Sequence, residues 1–171
     1  MIIMTMRGGL GNQMFEYAFA RTLSLQNNGE KVYLYTGRFK YDKQREFSLE
    51  HFELSDRVAI WKEPLLLKIY LKFFEKLAKI MHLDERSFED ALKLYKFGYY
   101  KYLGRKCEEL PMCKRHIKFY STLAQNKKYF QDYEEGIRKE LSVKTEPSPQ
   151  NSCWIEKIRN TDKSVAIHIR R

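Results

Sequence analysis

The chain has 171 residues, 43 % of them apolar, and its 32 Lys+Arg against 22 Asp+Glu give a net charge of +10. That apolar fraction is close to the globular norm and excludes wholesale disorder, while the length accommodates about one domain, or one domain and part of another. No apolar run reaches the ~18 residues of a bilayer span, and the start, Met1 to Arg7, is too short for a signal-peptide core.

The chain is therefore expected to stay in the cytoplasm. Its positive surplus favours an anionic partner without choosing among nucleic acid, an acidic membrane surface and a phosphate-bearing donor.

Ile2 to Met6 is a short apolar run of the kind a buried parallel strand gives. Gly8-Gly9-Leu10-Gly11-Asn12 breaks it. From Gln13 to about Gln26, Met14, Phe15, Ala18, Phe19, Thr22 and Leu23 recur at steps of three and four, which predicts a largely buried helix. Asn27-Asn28-Gly29 supplies its C-terminal stop. Lys31 to Tyr35 reads as a second strand with Val32 and Leu34 on one face. Strand, glycine turn, helix and strand make a βαβ unit, so the fold class is α/β.

From Lys62 to about Leu83 the pattern is helical and amphipathic. Leu66, Ile69, Tyr70, Phe73, Phe74, Leu77, Ile80 and Met81 form an apolar side, and Lys68, Lys72, Lys76 and Lys79 line the other. Such a helix either packs one stripe on the core or lies peripherally on an anionic membrane, at the inner face of the cell membrane for a cytoplasmic protein. Leu92 to Leu103 interleaves tyrosines with lysines, which fits a core or interface element better than a base-stacking surface, because no nucleic-acid-binding motif accompanies it. No nucleic-acid partner is expected.

Ile117 to Tyr120 predicts a strand. Lys127 to Leu141 predicts a helix that buries Tyr129, Phe130, Tyr133, Ile137 and Leu141. Two prolines, Pro147 and Pro149, mark residues 145–151 as a linker. Beyond it Ser152 is placed to cap a short helix with Trp154, Ile155 and Ile158 inward, and Ser164 to Ile169 reads as a buried strand running into Arg170-Arg171. A strand with no helix after it opens a βαβ unit it does not complete, so residues 1–144 are expected to form one domain and 152–171 the first elements of a second. Cys107, Cys113 and Cys153 read as reduced structural thiols. Cys107, Cys113 and His116 match no zinc-site spacing, and no metal site is expected.

Two segments carry chemistry. Glycines between a strand and a helix let backbone N–H groups approach a ligand, and the helix N-terminus favours a phosphate; Gly8, Gly9, Gly11, Asn12 and Gln13 occupy that position. A tight turn that only glycine fits explains the same residues without a ligand. The dinucleotide fingerprint fails, because Met14 stands at its third glycine and the second strand ends Tyr35-Thr36-Gly37 without an acidic residue; no P-loop is present either. The other segment, His168-Ile169-Arg170-Arg171, sits at the carboxyl end of the last predicted strand, where a guanidinium can clamp a pyrophosphate or remain a solvated basic tail.

Taken together, the sequence Gly-Gly-Leu-Gly-Asn-Gln-Met-Phe-Glu-Tyr-Ala-Phe-Ala-Arg at 8–21 closely resembles the N-terminal signature of the α-1,2-fucosyltransferases, glycosyltransferase family 11. His168-Ile-Arg-Arg171 is similar to the start of that family's H-x-R-R-G-D motif. Segments 47–52 (Phe-Ser-Leu-Glu-His-Phe), 128–131 (Lys-Tyr-Phe-Gln) and 137–141 (Ile-Arg-Lys-Glu-Leu) also resemble family segments, and between Val58 and Lys118 the likeness is patchy.

The resemblance implies a GT-B architecture of two facing Rossmann-like domains. Residues 1–144 would be the N-terminal, acceptor-side domain, and 152–171 the start of an incomplete donor-binding domain. It implies inverting transfer of L-fucose from GDP-fucose to O2 of a galactose in a surface glycan. By motif match Arg170 would stabilise the departing diphosphate, supported by Arg171, with His168 orienting the loop and Gly8, Gly9, Gly11, Asn12 and Gln13 facing the donor across the cleft. A cationic clamp can replace a metal, and no Asp-x-Asp is present beside which Mn²⁺ or Mg²⁺ could hold a diphosphate, so metal-independent transfer is expected. With most of the donor domain missing, these 171 residues are not expected to turn over alone. A basic module for RNA or an anionic membrane is the alternative function.

Overall fold

The computed structural model describes residues 1–62, 65–104 and 106–167. Five short strands, β1 (Ile2–Thr5), β2 (Val32–Tyr35), β3 (Val58–Trp61), β4 (Tyr99–Tyr102) and β5 (Lys118–Thr122), form one sheet. Their order is β3-β2-β1-β5-β4, and every neighbouring pair is parallel.

Helix α1 (Leu10–Gln26) crosses from β1 to β2, and two 3₁₀ turns, Phe39–Tyr41 and Leu49–His51, lie between β2 and β3. Helices α2 (Leu65–Ile80) and α3 (Phe88–Tyr95) carry the chain from β3 at one edge to β4 at the other. Helices α4 (Glu134–Glu140) and α5 (Pro149–Arg159) follow β5. The fold is α/β with a parallel sheet flanked by helices, compatible with a Rossmann-like arrangement. No helix among the described residues is long and apolar enough to cross a membrane.

An uninterrupted apolar strand is what a sheet covered on both faces requires. Ile2, Met4 and Met6 pack with Tyr17, Phe19 and Ala20 of α1 in one core, whereas Ile3 joins Leu67 and Phe74 of α2 in a second core on the other face. The tyrosine-rich stretch is part of both. Tyr99 stacks between Phe74 (4.9 Å) and Phe119 (5.3 Å), and the buried hydroxyls of Tyr95 and Tyr120 meet at 3.1 Å. These rings are spent on each other, and Tyr99, Tyr100 and Tyr102 are all buried, so they offer no stacking surface to a base.

Several expectations are corrected. Residues 127–141 are two 3₁₀ turns, Lys127–Tyr129 and Gln131–Tyr133, followed by the short α4. The adjacent Tyr129 and Phe130 both reach α1, on Phe19 (5.1 Å) and Phe15 (6.0 Å), which a continuous helix would hinder by turning neighbours about 100° apart. The last helix starts at Pro149 rather than after the predicted linker, because proline is preorganised for the first helical position and the Ser148 hydroxyl accepts from the Asn151 amide at 3.3 Å. Ser148, not Ser152, is the cap. Trp154, Ile155 and Ile158, predicted to point inward, are 57 %, 37 % and 56 % exposed.

Residues 164–167 form no strand, and Val165 and Ile167 are exposed: a strand exists only through a ladder, and no strand among the described residues pairs with it. Strand β3, with no residue fully buried, had no counterpart among the predicted elements.

Candidate functional site

Ligands of parallel α/β sheets bind beyond the carboxyl ends of the strands. In this sheet β1 and β5, far apart in sequence, are neighbours at the centre, and the loops at their carboxyl ends come together. The glycine turn is one of them. Gly8 has φ +71, which favours glycine, and a Cβ on it would stand 2.4 Å from the Asn12 side-chain nitrogen and push that side chain aside. Gly9 and Gly11 differ: both are exposed, and an added Cβ would meet nothing within 4 Å. Nothing inside the described chain requires glycine at those two positions, yet helical Gly11 is disfavoured by about 1 kcal/mol against alanine. Open space over backbone N–H groups is what an approaching anion needs.

Helix α1 begins directly at this turn. Its cap residue Gly9 supplies no side-chain hydrogen bond, and its first turn contains no acidic residue. The positive end of the helix dipole therefore faces the loop unneutralised by a carboxylate of its own.

Of the predicted residues, Gly8, Gly9, Gly11, Asn12 and Gln13 are brought together here, but with different roles. Gln13 is fully buried and works as a clip: its side-chain nitrogen donates to the Gly8 carbonyl (3.0 Å) and the Glu46 carbonyl (2.8 Å), and its oxygen accepts from the Ser48 amide (3.0 Å). It fixes the turn rather than presenting itself to a ligand. The half-buried Asn12 side chain accepts from Gln125 Nε2 at 2.6 Å, joining the turn to the loop after β5. There Ala124 has φ +47, an uncommon conformation for a residue with a side chain. His168, Arg170 and Arg171 lie outside the described residues.

Below the turn sits a buried Arg7–Glu16 pair that the sequence pattern does not announce. Glu16 is fully buried; its carboxylate accepts from the Arg7 amide (2.9 Å) and from Arg7 Nε (3.3 Å), and Arg7 Nη2 donates to Ser121 Oγ of β5 (3.0 Å). Burial pushes the Glu16 carboxyl up to about 8, opposed by its hydrogen bonds and charge interaction with Arg7. Burial likewise draws the Arg7 guanidinium down, opposed by Glu16. The only sequence signal was a glutamate on the otherwise buried side of α1, with an arginine immediately after β1.

Two concavities open at the carboxyl ends of β4 and β5 and share Gly104, Lys106, Leu123 and Gln125. Through Gln125 they adjoin Asn12 and the glycine turn. The wall of the larger one carries two cations, Arg86 and Lys106, and two carboxylates, Glu89 and Glu108. The arrangement can hold an anionic group against main-chain amides while a longer ligand extends along the sheet's carboxyl edge. Among the described residues, no group of three or more His, Cys, Asp or Glu side chains is assembled to hold a metal ion.

Behind the turn, the segments singled out by resemblance converge on α1. Gln13 grips the chain at Glu46 and Ser48, Phe19 meets Tyr129, and Arg21 and Tyr17 both bond Glu140, with Arg21 Nη2 donating at 2.9 Å. No family model, curated protein or solved structure matches the chain.

Proposed function

We propose that the chain is the acceptor-side portion of an inverting, GDP-fucose-dependent α-1,2-fucosyltransferase of GT-B architecture, with residues 152–171 opening its donor-binding domain. The observation that carries this reading is the glycine turn at the carboxyl edge of β1. Gly9 and Gly11 leave it open to an incoming group, and the family-like segments 47–52, 128–131 and 137–141 pack close by or behind it. The dipole-positive start of α1, which has no side-chain cap, suits a sugar nucleotide's diphosphate.

In the proposed reaction the bond between fucose C1 and the β-phosphate oxygen breaks, and its electron pair leaves with GDP. Galactose O2 closes on C1 from the opposite face to form the new C–O bond, and its proton passes to solvent water. As the sugar becomes oxocarbenium-like, negative charge grows on the departing phosphate. A prepositioned guanidinium stabilises that charge in the transition state, the role assigned to Arg170 with Arg171 beside it. Main-chain amides at Gly9–Gly11 would neutralise part of the same diphosphate from across the cleft, and Gln13 holds those amides in place.

The test is transfer of labelled fucose from GDP-fucose to a β-galactoside by the full-length protein in the presence of EDTA. Transfer to O2 is expected, and Arg170→Ala is expected to lower kcat by about 10²–10³-fold. Full activity in that variant, or no transfer to any galactoside, would overturn the assignment.

A further inference from the structure

We propose that α2 docks the protein flat on an anionic lipid bilayer, inserting an apolar stripe and laying a row of lysines against the headgroups. This inference is independent of the fucosyl-transfer reading.

Helix α2 has more apolar surface than the sheet uses. Leu67 and Phe74 are buried in the second core, with Tyr70, Leu71, Leu77 and Ala78 packed around them. That contact satisfies one side. A second stripe remains outside: Leu66, Ile69, Phe73 and Ile80 are 82 %, 59 %, 61 % and 65 % exposed. At 3.6 residues per turn these four fall on one arc, next to the buried side, and the stripe runs about 21 Å along the axis. Lys72, Lys76 and Lys79, all exposed, occupy the adjoining arc. The helix thus has three sides, one on the sheet, one apolar and bare, one cationic.

The charge chooses the occupant. Glu75, the helix's single carboxylate, is engaged by Arg38 at 3.7 Å. A second copy laid on the stripe would bring another lysine row and another +10 charge to a face that already repels it. An anionic bilayer answers both sides at once, because hydrocarbon takes the convex stripe and headgroups take the ammonium groups on their flexible stems.

Co-sedimentation with vesicles tests this, comparing equimolar phosphatidylglycerol and phosphatidylcholine with phosphatidylcholine alone. Binding is expected only to the anionic vesicles, and raised salt should weaken it. The triple variant Lys72→Glu, Lys76→Glu, Lys79→Glu should lose on the order of 100-fold in affinity. Phe73→Asp, an exposed position whose variant should retain the far-UV spectrum and Tm, should lose about tenfold or more. Equal binding to neutral vesicles would overturn the proposal. So would a loss confined to the lysine variant, which marks simple polyanion binding, or self-association abolished by Phe73→Asp without any vesicle binding, which marks a second copy as the occupant.

Discussion

Single positions in the glycine turn separate backbone necessity from ligand access. At Gly8, φ +71 and the 2.4 Å approach of Asn12 mean that Gly8→Ala should cost about 1–2 kcal/mol, read as a lowered Tm. Gly11 is helical, and an added Cβ meets nothing within 4 Å, so Gly11→Ala should stabilise the protein by about 0.4–1 kcal/mol. Under the proposed fucosyl-transfer reading, the same substitution in the active transferase should raise KM for GDP-fucose, since the methyl would occupy space assigned there to the diphosphate. A higher Tm with unchanged KM would remove the donor from this turn. Glu16 makes a different prediction. Its carboxyl is pushed up to about 8 from the usual range near 4.5, so the folded state holds a proton that the unfolded chain releases. This contribution is fully present below about pH 4.5 and is lost as pH rises through about 8. Glu16→Gln, which cannot ionise, should flatten that decline in a series of melts from acid to alkaline pH. A decline as steep as in the parent protein would assign it to other groups.

At the level of elements, α4 is fastened to α1 by one carboxylate. Glu140 accepts from Arg21 Nε and Nη2 (3.0 and 2.9 Å) and from the Tyr17 hydroxyl, while Arg21 and Tyr17 are both buried. Glu140→Ala strands a buried guanidinium and should destabilise by about 3 kcal/mol, measured as a fall in the urea midpoint. Glu140→Gln keeps an acceptor and should lose less; equal losses would mean the contact is packing alone. The elements legible in the sequence were those with a clear period. β1, α1 and β2 follow from unbroken apolar runs around a glycine turn, and the amphipathic α2 from its lysines. β3 escaped although Val-Ala-Ile-Trp is an apolar run, because four residues are too short to show a period, and β4 because Lys101 interrupts its tyrosines although the strand lies inside. In the site the glycines were legible, but the clip role of Gln13 was not. Glu46 and Ser48 lie on the β2–β3 connection, and Asn12 meets Gln125 across 113 residues of chain. The Arg7–Glu16 pair is only 9 residues apart, but its burial follows from sheet order, which no local pattern contains.

On the scale of the whole molecule the chain divides by burial. Residues up to 141 enclose two cores on one sheet, and every described residue from 142 to 167 is exposed. The 11 residues of α5 bury nothing, and an isolated helix shorter than about 12–15 residues is marginal in water. Its local opening should therefore require far less free energy than opening of the sheet. Limited trypsin digestion should cut first at Lys157, Arg159 and Lys163, leaving a core product that melts at the Tm of the intact chain. The backbone hydrogen bonds that tie the start of the exposed segment to the core, the Glu53 amide on the Ser142 carbonyl and the Lys144 amide on the His51 carbonyl (both 2.9 Å), should mark where cleavage slows. If cutting within 149–163 lowered the Tm of the remainder, α5 would be contributing burial to the core. Resistance there equal to that of α1 would contradict its exposure outright.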